Sequence, residues 1–296
     1  MKDFSEVKIP VPWGHIAGKW WGSTTEQPII ALHGWQDNCG SFDNLAPLLA
    51  KNGLSVLCID LPGHGFSSHF PKGQNYYIFW DGVHHLRRIV KHFKWSQITI
   101  IGHSLGGCIG FLYSATFQDD VKKFISLDAA GPCGRLPTEQ LLDDFGTSID
   151  KILSYENTVD LPCYSREQLL DIVVATYEGS IDRAGCEILL KRGIKKVPRK
   201  DGYILSRDLK LKDSSQEFMG INQVLDFASR ITCEVMNIKA NRSMVLHYTE
   251  YYSMILDATE KNAKKLERHM IPGTGHHFHL MDADKVAPLI IQFLTS

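Results

Sequence analysis

Gln97-Ile98-Thr99-Ile100-Ile101-Gly102-His103-Ser104-Leu105-Gly106 begins as a short β-rich apolar run and breaks at a glycine-flanked serine. From Leu105 onward, residues 105–117 take helical spacing. Gly102-His103-Ser104-Leu105-Gly106 fits the pattern G-x-S-x-G, set between a strand and a helix. A sharp turn there holds the serine in a strained backbone conformation, and the flanking glycines avoid clashes that β-carbons would cause. Ser104 Oγ is thereby pushed into a cleft. The helix that follows offers free N–H groups and the positive end of its dipole to an oxyanion. A nucleotide-binding reading of residues 102–110 fails, because these glycines do not follow G-x-G-x-x-G.

Outward from this turn the chain alternates. Residues 28–32, 54–59, 97–101 and 121–127 are brief apolar runs without polar alternation, as expected of strands buried on both faces of a parallel sheet. Residues 42–51, 77–93 and 105–117 between them carry helical spacing, and residues 7–11 and 15–21 read as two leading strands. The expected fold class is α/β, a mostly parallel central sheet with helices on both faces. From residue 131 to 224 helical segments dominate (138–154, 166–177, 181–192). Alternation then resumes with strands at 233–239 and 266–271 and helices at 249–262 and 284–293. The expected organisation is a core of residues 1–130 and 225–296 with a helical cap inserted at 131–224.

Three further stretches serve a serine nucleophile. His33-Gly34-Trp35 follows the 28–32 strand, so the Trp35 and Leu105 N–H groups form the expected oxyanion pair. Gly273-Thr274-Gly275-His276 follows the 266–271 strand and supplies His276 as general base, in the order expected for this architecture. The acid is the open member. Asp128 follows the 121–127 strand; its purely structural alternative is to cap the loop at 129–131. After the next core strand the chain reads Ile238-Lys239-Ala240-Asn241-Arg242-Ser243, and no carboxylate comes before Glu250. Asp128 is the candidate, with Glu250, a cap residue or no acid as alternatives. His277 and His279 lack a nearby carboxylate or cysteine pair at ligand spacing, so they read as packing or pocket residues and no metal is expected. Asp60-Leu61-Pro62-Gly63-His64-Gly65 reads as a structural turn with Asp60 bonding loop backbone. Aromatic residues between Tyr76 and Trp95 sit at helical spacing, as core first and pocket second.

Composition narrows the partners. The 296 residues carry a formal net charge of -1, which gives no purchase for nucleic acid or an anionic membrane. The most basic run, residues 191–200, reads as a solvated helix end with its loop. Seven scattered cysteines, without a C-x-x-C pair, fit a reducing compartment. The polar start, Met1-Lys2-Asp3-Phe4, does not read as a secretory signal, and no apolar run is long enough to span a bilayer. A cytoplasmic protein is expected.

Taken together, His33-Gly34-Trp35, Asp60 with Pro62-Gly63-His64-Gly65, Gly102-His103-Ser104-Leu105-Gly106 and Gly275-His276 resemble the α/β-hydrolase superfamily. Val11-Pro12-Trp13-Gly14-His15-Ile16-Ala17 with His33-Gly34-Trp35-Gln36-Asp37-Asn38 resembles, more closely, the animal serine hydrolase-like proteins and the insect kraken-type hydrolases. The resemblance implies a serine nucleophile and a late histidine, matching Ser104 and His276, and for some members an association with peroxisomes or vesicles. Where relatives carry an Asp after the strand at 233–239, this chain has Ser243. An acid at Asp128 is similar to the arrangement in haloalkane dehalogenases, whose nucleophile is an Asp; a serine argues against dehalogenation or epoxide opening. The expected function is hydrolysis of carboxylic esters of small apolar molecules, without a cofactor. A thioesterase, amidase or C–C hydrolase would use the same groups, and a ligand-binding protein with an inactive triad could share the fold.

Overall fold

The computed structural model describes residues 4–132, 138–158, 161–198, 200–213, 219–243 and 249–296. The strands, in chain order, are β1 (Phe4–Val11), β2 (Gly14–Trp21), β3 (Ile29–Leu32), β4 (Val56–Ile59), β5 (Ile98–His103), β6 (Val121–Leu127), β7 (Ile194–Lys196), β8 (Tyr203–Leu205), β9 (Glu234–Ala240) and β10 (Lys265–Ile271). The α-helices are α1 (Leu45–Lys51), α2 (Ile78–Phe93), α3 (Leu105–Thr116), α4 (Thr138–Glu156), α5 (Arg166–Thr176), α6 (Arg183–Gly193), α7 (Ile221–Ala228), α8 (Thr249–Glu260), α9 (Phe278–Met281) and α10 (Ala283–Thr295).

Eight strands form one sheet in the order β1-β2-β4-β3-β5-β6-β9-β10. The β1–β2 and β2–β4 pairs are antiparallel; every pair from β4 to β10 is parallel. All four residues of β3 and of β4 are buried, because helices cover both faces. On one face Ile30, Leu57 and Ile100 pack with Val83, Leu86 and Ile109 of α2 and α3; on the other, Ala31, Cys58 and Ile101 pack with Leu45, Leu49 and Ile290 of α1 and α10. The α/β layers read from the sequence are present.

Two helices show why their sequences fold this way. In α2, Ile78, Phe79, Val83, Leu86, Ile89 and Val90 bury one face at three- and four-residue spacing, and left-handed Lys94 (φ 56°) ends the helix. α3 is buried almost all round and runs close to the sheet. A β-carbon on Gly110 would meet the Phe124 ring at 2.5 Å.

Between β6 and β9, helices α4, α5 and α6 appear where helical spacing placed them. A small antiparallel pair, β7 with β8, interrupts them, which no apolar run announced. Helix α7 straddles the expected boundary at residue 224, and its Val224 is buried in the core layer beside α3. Residues 133–137, 159–160, 199 and 214–218 of the expected insertion lie outside the described residues. The basic run also differs from expectation. Helix α6 does end within it, but Arg192 is only 2% exposed and places Nη2 2.7 Å from Asp60 Oδ2 and Nη1 2.6 Å from Glu6 Oε1.

Candidate active site

The loops that leave β3, β5, β6 and β10 converge at one rim of the sheet, at the carboxyl ends of parallel strands where such folds open a crevice. Ser104 stands between β5 and α3 with φ 50° and ψ −111°, a conformation most side chains avoid. Its neighbours hold it there. Ser104 N–H donates to Leu127 O at 3.0 Å and Gly106 N–H to His33 O at 3.1 Å. A β-carbon on Gly102 would collide with the Gly106 carbonyl, and one on Gly106 with Leu32 O. Both glycines are therefore set by close backbone approach within the turn.

The sequence-predicted base and acid meet. His276 Nδ1 lies 2.6 Å from Asp128 Oδ2, and Asp128 is 1% exposed. The second carboxylate oxygen accepts Ala240 N–H at 2.9 Å, so both oxygens are engaged. Asp128 adopts φ 54°, which turns its side chain back over the end of β9. The alternative acid, Glu250, is exposed near the start of α8. The residue before Ser104 touches His276: His103 Nε2 donates to His276 O at 3.0 Å, and the two rings lie 4.5 Å apart. Among the described residues Ser104 Oγ makes no hydrogen bond.

The predicted oxyanion donors sit on adjoining segments, Trp35 in the loop after β3 and Leu105 at the start of α3. The bond from Gly106 to His33 pins the loop after β3 against the first turn of α3, and neither Trp35 N–H nor Leu105 N–H donates elsewhere among the described residues. Two neutral imidazoles brace the loop. His33 joins Gly34 O through Nδ1 at 2.7 Å and accepts Leu61 N–H at Nε2 at 2.9 Å; His64 accepts Gln36 N–H at 3.1 Å. Burial, reinforced by His33, lowers the His64 pKa to about 3. Asp60 accepts Cys39 N–H at 2.8 Å and Phe66 N–H at 2.9 Å, the backbone role expected of it, and adds the Arg192 pair that the sequence did not show. Burial alone would raise its pKa; the guanidinium and these hydrogen bonds hold it below the ordinary carboxylate value.

Behind the serine lies a cluster that sequence reading missed. Asp37 Oδ1 accepts Tyr177 OH at 2.5 Å, and Oδ2 lies 3.2 Å from His277 Nε2 and 3.8 Å from His103 Nδ1. Ser180 Oγ is 2.6 Å from His277 Nδ1. Burial would raise the Asp37 pKa, but the His277 ring and the hydrogen bonds hold it well below the carboxylate range. Asp37, His103 and His277 bring ligand-type atoms within 4.8 Å of one another, so His277 does have a carboxylate beside it, delivered by a distant loop. Tyr177 and His277 already occupy the Asp37 oxygens, and Asp37 and Ser180 occupy both nitrogens of His277. Hydrogen bonding therefore accounts for this pair without a metal ion. His279 is fully buried, packs 4.0 Å from the His103 ring, and has no hydrogen-bond partner for either nitrogen among the described residues.

Two cavities flank the site, and neither is lined by Ser104. The larger, about 360 Å³ and partly open to solvent, lies between the loop after β3 and the inserted segment; Gln36, Asp37, Tyr177 and Arg207 contribute to its walls. The smaller, about 270 Å³, lies beneath Leu105, His64 and Tyr76.

Residues 27–163 match the family model described as alpha/beta hydrolase fold. The chain is 45% identical to a "Probable serine hydrolase" of Drosophila melanogaster, over 98% of this chain and 88% of that protein. It is 35% identical to "Serine hydrolase-like protein 2" of Homo sapiens, over 98% of this chain and 94% of that one. Among solved structures, a hypothetical protein of Pseudomonas aeruginosa PAO1 matches with a TM-score of 0.82 at 27% identity, covering 98% of this chain and 99% of that one. No described helix is long and apolar enough to cross a membrane.

Proposed function

The chain belongs to the serine hydrolase-like family of the α/β-hydrolase fold, and from that premise we propose that it cleaves carboxylic esters through Ser104, His276 and Asp128. The observation that carries this reading is the 2.6 Å contact between His276 Nδ1 and Asp128 Oδ2, with the His276 carbonyl bonded to His103, the residue before a serine held in a strained turn. Ser104 Oγ attacks the acyl carbon while His276 Nε2 takes the hydroxyl proton. Asp128 holds the imidazole with its proton on Nδ1 and stabilises the imidazolium that forms. The Trp35 and Leu105 N–H groups receive the oxyanion. The acyl–oxygen bond then breaks, and His276 returns the proton to the departing alkoxide. Water, activated by the same imidazole, attacks the acyl-serine and releases the acid. The Ser104 hydroxyl closes onto Nε2 as substrate binds, since catalytic hydrogen bonds are commonly long without substrate. In this reading residues 131–224 form the cap over the acyl and alcohol groups.

A fluorophosphonate probe tests the nucleophile. It labels the wild-type chain at Ser104 and leaves Ser104→Ala unlabelled. Equal labelling of the two proteins would remove Ser104 from the mechanism.

A further inference from the structure

Arg207 lies two residues beyond the end of β8 and lines the larger cavity. Among the described residues its guanidinium makes no hydrogen bond and no ion pair, and its Nε is buried without a partner. A donor cut off from water without an acceptor is unfavourable, and the half-buried charge is left to find its partner in the cavity. Asp37 lies within its electrostatic reach, yet both Asp37 oxygens are already engaged by Tyr177 and His277. Val173, Leu189, Leu190 and Leu205 give the rest of the cavity apolar walls, and Gln36 adds an amide. Gln36 directly follows Trp35, and successive Cα atoms stand about 3.8 Å apart. The cavity wall therefore begins one residue from a proposed oxyanion donor.

We infer that this cavity is an anion subsite and that the ester attacked by Ser104 carries a carboxylate remote from its scissile bond, bound by Arg207 across an apolar spacer. The inference rests on the esterase reading. A guanidinium fork matches two carboxylate oxygens. A carboxylate fits better than a phosphate, because the Asp37 charge in the same field opposes a dianion more strongly and the walls are apolar.

Two matched pairs of esters test this. One places the charge on the acyl side: the 4-nitrophenyl monoester of adipic acid against 4-nitrophenyl hexanoate. The other places it on the alcohol side: the butyrate ester of 6-hydroxyhexanoic acid against hexyl butyrate. The wild-type protein favours the anionic member of at least one pair in kcat/KM by about 10–100-fold, the range of a charge-assisted hydrogen-bonded pair. In Arg207→Met that ratio falls close to one, and in Arg207→Lys part of it survives. Methionine should be tolerated, because it removes an uncompensated partly buried charge. A wild-type ratio near one in both pairs, or a preference that survives Arg207→Met, overturns the subsite. Ser104→Ala separates this from the parent reading: turnover persisting in that variant overturns the esterase mechanism itself. An inactive Ser104→Ala with no anionic preference in the wild type overturns the subsite alone.

Discussion

Asp128 shows how much one residue's backbone can decide. Its left-handed φ of 54° sends the carboxylate across the end of β9, where Ala240 N–H takes one oxygen and His276 takes the other. Replacement by asparagine keeps the shape, and its carbonyl oxygen can keep the Ala240 bond. The amide NH2 then faces His276 Nδ1 and donates to it. The imidazole proton moves to Nε2, the atom that accepts from Ser104 in the proposed mechanism. Asp128→Asn should therefore lower ester turnover by about 10⁴ with little change in far-ultraviolet circular dichroism, as expected for a base held in the wrong tautomer. A loss of under about threefold would place the acid elsewhere. Arg192 makes a comparable point about structure. Its charge is buried between Asp60 and Glu6, so it ties helix α6 to the turn after β4.

The turn between β5 and α3 acts as an element because two backbones touch there. Alanine at Gly106 would drive a β-carbon into the Leu32 carbonyl, and no side-chain rotation relieves a clash with backbone. Gly106→Ala should lose at least about 3 kcal/mol of stability, the upper end for overpacking, measured by urea denaturation. Gly146 in α4 supplies the contrast, because a methyl group added there would have nothing within 4 Å. Gly146→Ala should gain about 0.5–1 kcal/mol from helix propensity. Equal effects at both positions would remove close approach as the reason for Gly106. This turn was also the most legible part of the sequence, since its chemistry is local: strand, strained serine, helix. β3 and β4 were legible as unbroken apolar runs, β6 as a β-rich stretch despite Lys122 and Lys123, and Asp128 as a candidate because no carboxylate precedes Glu250 after β9. Asp37, Tyr177, Ser180, Arg192 and Arg207 were not. Each takes its role from a partner or cavity that only the fold assembles, and no spacing rule links Tyr177 to Asp37 or Arg192 to Asp60. The β7–β8 pair escaped notice because three residues per strand carry no usable period.

Across the whole molecule, the packing of histidines should set the response to acid. His33, His64, His85, His103 and His279 are all buried, and burial is the first cause lowering each pKa below the ordinary 6.5, to about 3 for His64 and His85. An unfolded chain binds protons at these rings near pH 6.5, whereas the folded chain takes them up only at lower pH, far lower for all but His33. The unfolded state therefore holds more protons between those limits. Stability is complete above about pH 6.5 and is lost as pH falls toward about 3. Asp43 and Asp81, whose pKa values burial raises, act in the opposite sense, but they are two groups against these five and His69, which burial also lowers. The slope of unfolding free energy against pH, measured by urea titrations between about pH 4.5 and 6, should exceed about 2.7 kcal/mol per unit, the value for two protons. His85 allows one ring to be isolated. It packs against Trp13 and Phe70, and neither of its nitrogens has a hydrogen-bond partner among the described residues. Phenylalanine fits that contact and cannot take a proton. His85→Phe should reduce the slope by up to about 1.4 kcal/mol per unit. An unchanged slope in a stably folded His85→Phe would show that this ring does not contribute to acid unfolding.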